Sequence, residues 1–131
     1  MAFQLEVQQF LSGQELLHLK LESQPRDLLW GDYLRRNGAA LPAMDGLAFD
    51  TAIASAKYAM TSGGVMLGDV DLFARELASN QLVMPYDVVI EDGYGYYLKL
   101  HADDLADPAI ASFRSWMIAR FAALRGATAR G

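Results

Sequence analysis

The sequence contains no cysteine. That removes a disulfide framework, a thiolate metal site and a cysteine nucleophile, and leaves the redox compartment unreadable from this residue type. Histidine is nearly as scarce. His18 and His101 are the two present, neither has a third ligand at motif spacing, and no metal site or cofactor is expected. No stretch reaches about 18 apolar residues free of charge, so no membrane-spanning helix is expected. Positive charge is in deficit too. The formal net charge is −5, whereas a chain that grips nucleic acid unaided carries a basic stripe to neutralise phosphates. Arg114, Arg120, Arg125 and Arg130 read as the solvated face of a closing helix, and direct nucleic-acid contact by this chain is not expected.

Catalytic signatures are missing as well. There is no Gly-x-Ser-x-Gly elbow, no phosphate-binding glycine loop ending in Lys-Ser/Thr and no His-Glu-x-x-His. Gly63-Gly64 follows a helical pattern and reads as its C-cap. Glu91-Asp92 falls in a turn, where a general acid or base would be solvated and untuned. Asp103, Asp104 and Asp107 read as a loop and a helix cap in preference to a cation site. The chain is therefore expected not to be an enzyme.

What is present is the composition of an ordinary folded domain: 131 residues, 53% hydrophobic and 21% charged, enough to bury a core without covalent staples. Met1-Ala-Phe-Gln-Leu-Glu-Val has neither the basic start nor the apolar run of a signal peptide, and a cytoplasmic location is expected. Residues 1–15 read as an N-terminal arm, with Phe3, Leu5, Val7 and Phe10 hinting at alternation. Leu16 to Leu21 alternates as a half-buried strand should. A helix follows from Arg26 to Asn37, with Leu28, Leu29, Tyr33 and Leu34 at helical spacing and Asn37-Gly38 as its stop.

The middle reads as a βαβ unit: strand Leu47-Ala48-Phe49, alanine-rich helix Ala52 to Ser62, strand Val65-Met66-Leu67, in parallel pairing. Asp69 or Asp71 then caps a helix that turns Leu72, Phe73 and Leu77 inward. Gln81 to Pro85 reads as an extended edge piece, and Tyr94 to Leu100 as a strand. Asp107-Pro108 opens a last helix with an apolar stripe of Ile110, Phe113, Met117, Phe121 and Leu124.

Phe49-Asp50-Thr51 leaves the C-terminal end of a strand and enters a helix N-terminus. Ligands bind at that edge of open α/β sheets, and free N–H groups there suit an anion. Plain capping by Asp50 or Thr51 accounts for the same residues, and the residues alone leave both readings open.

The order Leu47-Ala48-Phe49-Asp50-Thr51, a helix, Gly63-Gly64-Val65-Met66-Leu67-Gly68, then Glu76-Leu77-Ala78-Ser79-Asn80-Gln81-Leu82-Val83-Met84-Pro85-Tyr86 resembles the effector-binding domain of LysR-type transcriptional regulators. Gly95-Tyr96-Tyr97-Leu98 and Ile110-Ala111-Ser112-Phe113-Arg114-Ser115-Trp116-Met117 continue the likeness, which runs from about Leu16 to Leu124. It lies nearest the branch of the glycine-cleavage and β-lactamase activators.

The resemblance implies an α/β, periplasmic-binding-protein-like (type II) lobe with a mixed, mostly parallel sheet flanked by helices. The closing strand and C-terminal helix would belong to the other lobe. On this reading residues 16–100 are the second lobe, 101–125 the return segment and last helix, and 126–131 a flexible tail. The effector side of the cleft would include Phe49, Asp50, Thr51 and Tyr96. The ligand would be a small polar effector, such as an amino acid or a cell-wall fragment.

Three departures bear on that ligand. Ala52 stands where the family often has a second hydroxyl residue, Gly68-Asp69 replaces a frequent apolar-proline pair, and Asn80 replaces a glycine at a position asparagine tolerates in the left-handed conformation. The winged helix-turn-helix and first lobe of such regulators are not read upstream of Leu16. The closing stripe would then lack its usual cover, and self-association as a dimer or swapped oligomer is expected. A free-standing ligand-binding or oligomerisation module is the alternative function.

Overall fold

In the computed structural model, which describes residues 2–41, 44–91 and 97–129, the chain begins with a helix. The order is α1 (Ala2–Ser12), β1 (Leu16–Leu19), α2 (Leu28–Arg36), β2 (Ala48–Phe49), α3 (Ala52–Ser62), β3 (Val65–Met66), α4 (Ala74–Ala78), a 3-10 turn (Ala102–Ala106) and α5 (Pro108–Ala129). It divides into two compact units, Met1–Ile90 and Glu91–Gly131. Among the described residues no helix is long and apolar enough to cross a membrane.

The first unit is organised by β1. Its three-stranded sheet has the order β2-β1-β3, and β1 is parallel to both neighbours, with His18 opposite Ala48 and Leu16 opposite Val65. The βαβ unit read from the sequence therefore does not place β2 and β3 side by side, because β1 lies between them. Alternation sends Leu16 and His18 to one face and Leu17 and Leu19 to the other. Leu16 is buried in a cluster with Val7 and Leu11 of α1 and Trp30 and Leu34 of α2. Leu17 is buried outside that cluster, and α3 meets all three strands, contributing buried Ser55 and Ala56.

The first two helices differ from the sequence reading for identifiable reasons. Residues 2–12 are helical rather than an extended arm. Val7 and Leu11, four apart, are both buried, while Leu5, which the alternation needed inside, is 59% exposed. The pattern that matters has the helical period. In α2 the buried pair is Trp30 and Leu34, and Leu28 is exposed. Trp30 reaches across to donate its Nε1–H to the Leu17 carbonyl at 3.0 Å, so it fixes helix to strand by a directed bond as well as by area.

Other boundaries fall as expected. Helix α3 has the bounds read from the sequence. Gly38 ends α2 at φ 68, and Ala39 N–H closes on the Leu34 carbonyl at 2.8 Å. Asn80 does adopt the left-handed conformation, at φ 59.

Asp69 Oδ1 accepts from the Asp71 and Leu72 backbone N–H groups, but it caps the turn ahead of α4 rather than the helix itself, which starts at Ala74. Phe73 is buried as expected and Leu72 is exposed. Gln81 to Pro85 forms no strand. Leu82 N–H turns back to the Glu76 carbonyl at 3.1 Å, which curls the chain, and Pro85 has no N–H to pair. The segment then returns to the first helices. Tyr86 meets Phe10 edge-on at 5.7 Å, and Tyr33 donates its hydroxyl to the Val88 carbonyl at 2.9 Å.

In the second unit Asp107 Oδ1 accepts from Ala109 N–H at 2.9 Å, and Pro108 opens α5, the expected aspartate-proline start. Of the Tyr94 to Leu100 strand, residues 94–96 lie outside the described residues, and 97–100 are in no sheet. Tyr97 is 82% exposed. On α5, Phe113, Trp116, Ile118 and Phe121 are each about half exposed, with the Phe113 and Trp116 rings stacked at 6.2 Å.

Gly46, at φ 143, leads into β2 so closely that a Cβ would sit 1.8 Å from the Leu16 carbonyl oxygen. Gly46→Ala is expected to cost at least about 3 kcal/mol in urea denaturation, because backbone must move against backbone. Gly63→Ala, with φ 85 but open space around the new methyl, is expected to cost about 1–2 kcal/mol from conformation alone. Burial pushes the Tyr33 hydroxyl above its ordinary range. The unfolded chain then loses that proton first, so this contribution is intact below the usual tyrosine range and is lost as pH rises through and above it. Between about pH 9 and 11 the denaturation midpoint of the wild type should fall more steeply than that of Tyr33→Phe.

Candidate functional site

Because β1 runs parallel to β2 and β3, all three strands deliver their C-terminal ends to one edge of the sheet. Three of the four residues singled out from the sequence meet there. Phe49 ends β2, Asp50 follows it, and Thr51 is the N-cap of α3. Tyr96 lies outside the described residues.

The capping question resolves onto one residue. Thr51 takes an extended conformation, φ −134 and ψ 148, and its Oγ1 accepts from Ala54 N–H at 3.2 Å. Asp50 takes no part in the cap. Its residue is exposed, and among the described residues its carboxylate has no hydrogen-bond or ion-pair partner. Threonine thus anchors the corner, and the aspartate is left to solvent.

Phe49 is half-buried, its ring 5.5 Å from Tyr58 on α3 at a tilt of 50°. Tyr58 donates its hydroxyl to Glu15 Oε2 at 3.4 Å, a long contact that ties the second turn of α3 to the approach of β1. Ser55, buried one turn into α3, donates to the Ala52 carbonyl and lies 3.8 Å from the Met66 sulfur. The corner therefore stands on packed helix and strand rather than on a free loop.

A residue not singled out from the sequence joins the site. Lys20 N–H donates to the Phe49 carbonyl at 2.9 Å, which sets Lys20 beside Asp50 across the β1–β2 pair. Both residues are exposed, and no ion pair joins them among the described residues. The edge thus offers one cation, one anion and the positive end of α3, a set suited to a small polar or zwitterionic ligand. Strand order supplied the missing signal, since only the register of β1 against β2 brings residues 20 and 50 together.

Elsewhere the chemistry is quiet. His18 is a buried strand histidine, its Nε2–H donating to the Met44 carbonyl at 2.8 Å. His101 is exposed. Among the described residues no three His, Asp or Glu side chains are grouped as metal ligands would be. An apolar crevice lined by Val7, Tyr33, Leu34 and Val88 has a volume of about 10 Å³, which is room for one water and no organic effector.

The chain has detectable relatives among characterised proteins. It is 32% identical over 89 residues, 68% of its length, to the HTH-type transcriptional activator AmpR of Citrobacter koseri, of which the match covers 30%. It is 29% identical over 92 residues to the activator of the same name from Rhodobacter capsulatus, covering 70% of this chain and 32% of that one. With the Providencia stuartii activator the identity is 34% over 74 residues, 56% of this chain and 25% of the relative. No family model and no solved structure matches. The chain spans about three-tenths of the length of the first two relatives. The resemblance read from its motifs is therefore borne out: over more than half its length this chain is similar in sequence to a part of the LysR-type activators named AmpR.

Proposed function

We propose that this chain is the small-molecule effector-sensing part of a LysR-type transcriptional regulator, corresponding to the C-terminal half of the effector-binding domain, a periplasmic-binding-protein-like lobe. The observation that carries the reading is the likeness to AmpR activators in a chain whose parallel strands end together beside a helix N-terminus. The effector is a small polar molecule held at the Phe49–Thr51 corner, with Asp50 and Lys20 as its charged contacts. The role is regulatory and non-enzymatic, in the cytoplasm. Effector binding favours one arrangement of lobes and subunits over another, and in the whole regulator that shift is passed to the DNA-binding part.

A second reading, a free-standing ligand-binding or oligomerisation module, draws on α5. Phe113, Trp116, Ile118 and Phe121 expose apolar area on one helix, more than a solitary soluble helix ordinarily leaves uncovered. Both readings include self-association. They part on whether the ligand response is coupled to DNA occupancy.

A thermal-shift screen with the amino acids and soluble cell-wall fragments tests the effector site. A ligand at about 100 times its Kd stabilises the folded chain by about 2.7 kcal/mol. Asp50→Ala is expected to abolish that shift while moving the ligand-free stability by less than about 0.5 kcal/mol. Thr51→Ala should cost about 1 kcal/mol through loss of the cap. A shift that survives both Asp50→Ala and Lys20→Ala would move the site away from this corner. Sedimentation velocity over a concentration series should show a dimer or larger species, and Phe113→Glu with Trp116→Glu should lower its fraction. A monomeric mass at high concentration would remove self-association from both readings.

A further inference from the structure

The approach to the candidate site is held by side chains as well as by the β-ladder. Segment 44–49 lies along one edge of β1 through His18 N–H to the Leu47 carbonyl at 2.8 Å and Lys20 N–H to the Phe49 carbonyl at 2.9 Å. Strand β2 itself is two residues long, so its pairing has little reserve; short edge strands open at low free energy. Two side chains reinforce it. His18, 1% exposed on the central strand, donates Nε2–H to the Met44 carbonyl at 2.8 Å. Arg26, from the turn before α2, donates Nη1–H to the Gly46 carbonyl and approaches the Met44 carbonyl with Nη2 at 3.5 Å. Both clamps grip main-chain oxygens just ahead of β2, and neither touches the Phe49–Thr51 corner.

The bond from Nε2 also fixes where one ring proton lies. A carbonyl can only accept, so the proton is on Nε2, and in the neutral ring Nδ1 is left as an acceptor. Among the described residues no donor meets it. A buried acceptor without a donor is uncommon and costs free energy. A leucine here would carry no such cost, so packing alone does not account for histidine. The service its ring performs is the hold on Met44.

We infer that segment 44–49 is a strap on the edge of β1, latched by His18 and Arg26, and that the latch sets how firmly the Phe49–Asp50–Thr51 corner is presented. Release would free the strap from β1 while β3, paired on the other edge, stays in place. The functional consequence rests on the effector reading of that corner; the latch itself does not.

Amide hydrogen exchange on the ligand-free chain separates the two. The Lys20 amide reports the strap side and the Val65 amide, bonded to the Glu15 carbonyl at 2.9 Å, the opposite side. His18→Leu and Arg26→Met are expected to lower protection at Lys20 by about tenfold or more, with Val65 within about twofold of the wild type. His18→Gln, whose amide can donate from the Nε2 position, should restore most of the Lys20 protection. Equal loss at Lys20 and Val65, or unchanged protection at Lys20, overturns the latch. Arg26 is exposed, so Arg26→Met decides the matter even if His18→Leu fails to fold. Because no ligand is added, a failed effector site and a failed latch give different results.

Discussion

Leu16, Leu17 and His18, each at or below 2% exposed, lie on a strand that is paired along both edges. A strand in that position must be satisfied in four directions at once. Its backbone needs two partners, and its two faces need separate cover. The rest of the first unit answers those demands. Helices α1 and α2 cover the Leu16 face, while Trp30 adds a directed bond to the Leu17 carbonyl. Helix α3 lies against all three strands. The spaces left are so tight that Gly46 and Gly64 cannot accept a side chain without pressing on β1 or the residue before it.

The parallel arrangement has a functional corollary. Strands that run the same way bring their C-terminal ends to one edge, where helix N-termini also gather, and charge placed there acts together. Thr51 commits its oxygen to the cap, and the neighbouring aspartate is exposed and, among the described residues, without a partner. A threonine that caps and an aspartate that does not form a division of labour across two adjacent residues. Under the proposed function, that exposed pair of charges, Asp50 and Lys20, is what a small polar ligand would meet.

Much of this was legible in the residues, and the parts that were not share a cause. Helix α3 could be bounded to the residue, since threonine, alanines and a double glycine are local signals that need no tertiary context. The positive φ of Asn80 and the aspartate-proline start of α5 were readable for the same reason. Strand order was not. That β1 sits between β2 and β3, and so places Lys20 next to Asp50, is a property of pairing at a distance. Helix α1 is not legible because Leu5 and Val7 suggest alternation, and only burial shows that Val7 and Leu11 are the pair that counts. His18 reads as any strand histidine until the Met44 carbonyl is found against it.

The sheet order also dictates a sequence of events as the chain is made. His18 pairs with Ala48 and Leu16 with Val65, so the central strand is synthesised long before either edge. Closing such separations costs chain entropy before any ladder bond is gained. The most deeply buried strand among the described residues is therefore made while both of its edge partners are still to come. Helix α1 is already complete when Leu16 appears, and its Val7 and Leu11 can cover that strand before α2 is made. A segment outside the candidate site thus shelters one face of the nascent strand before its edge strands arrive.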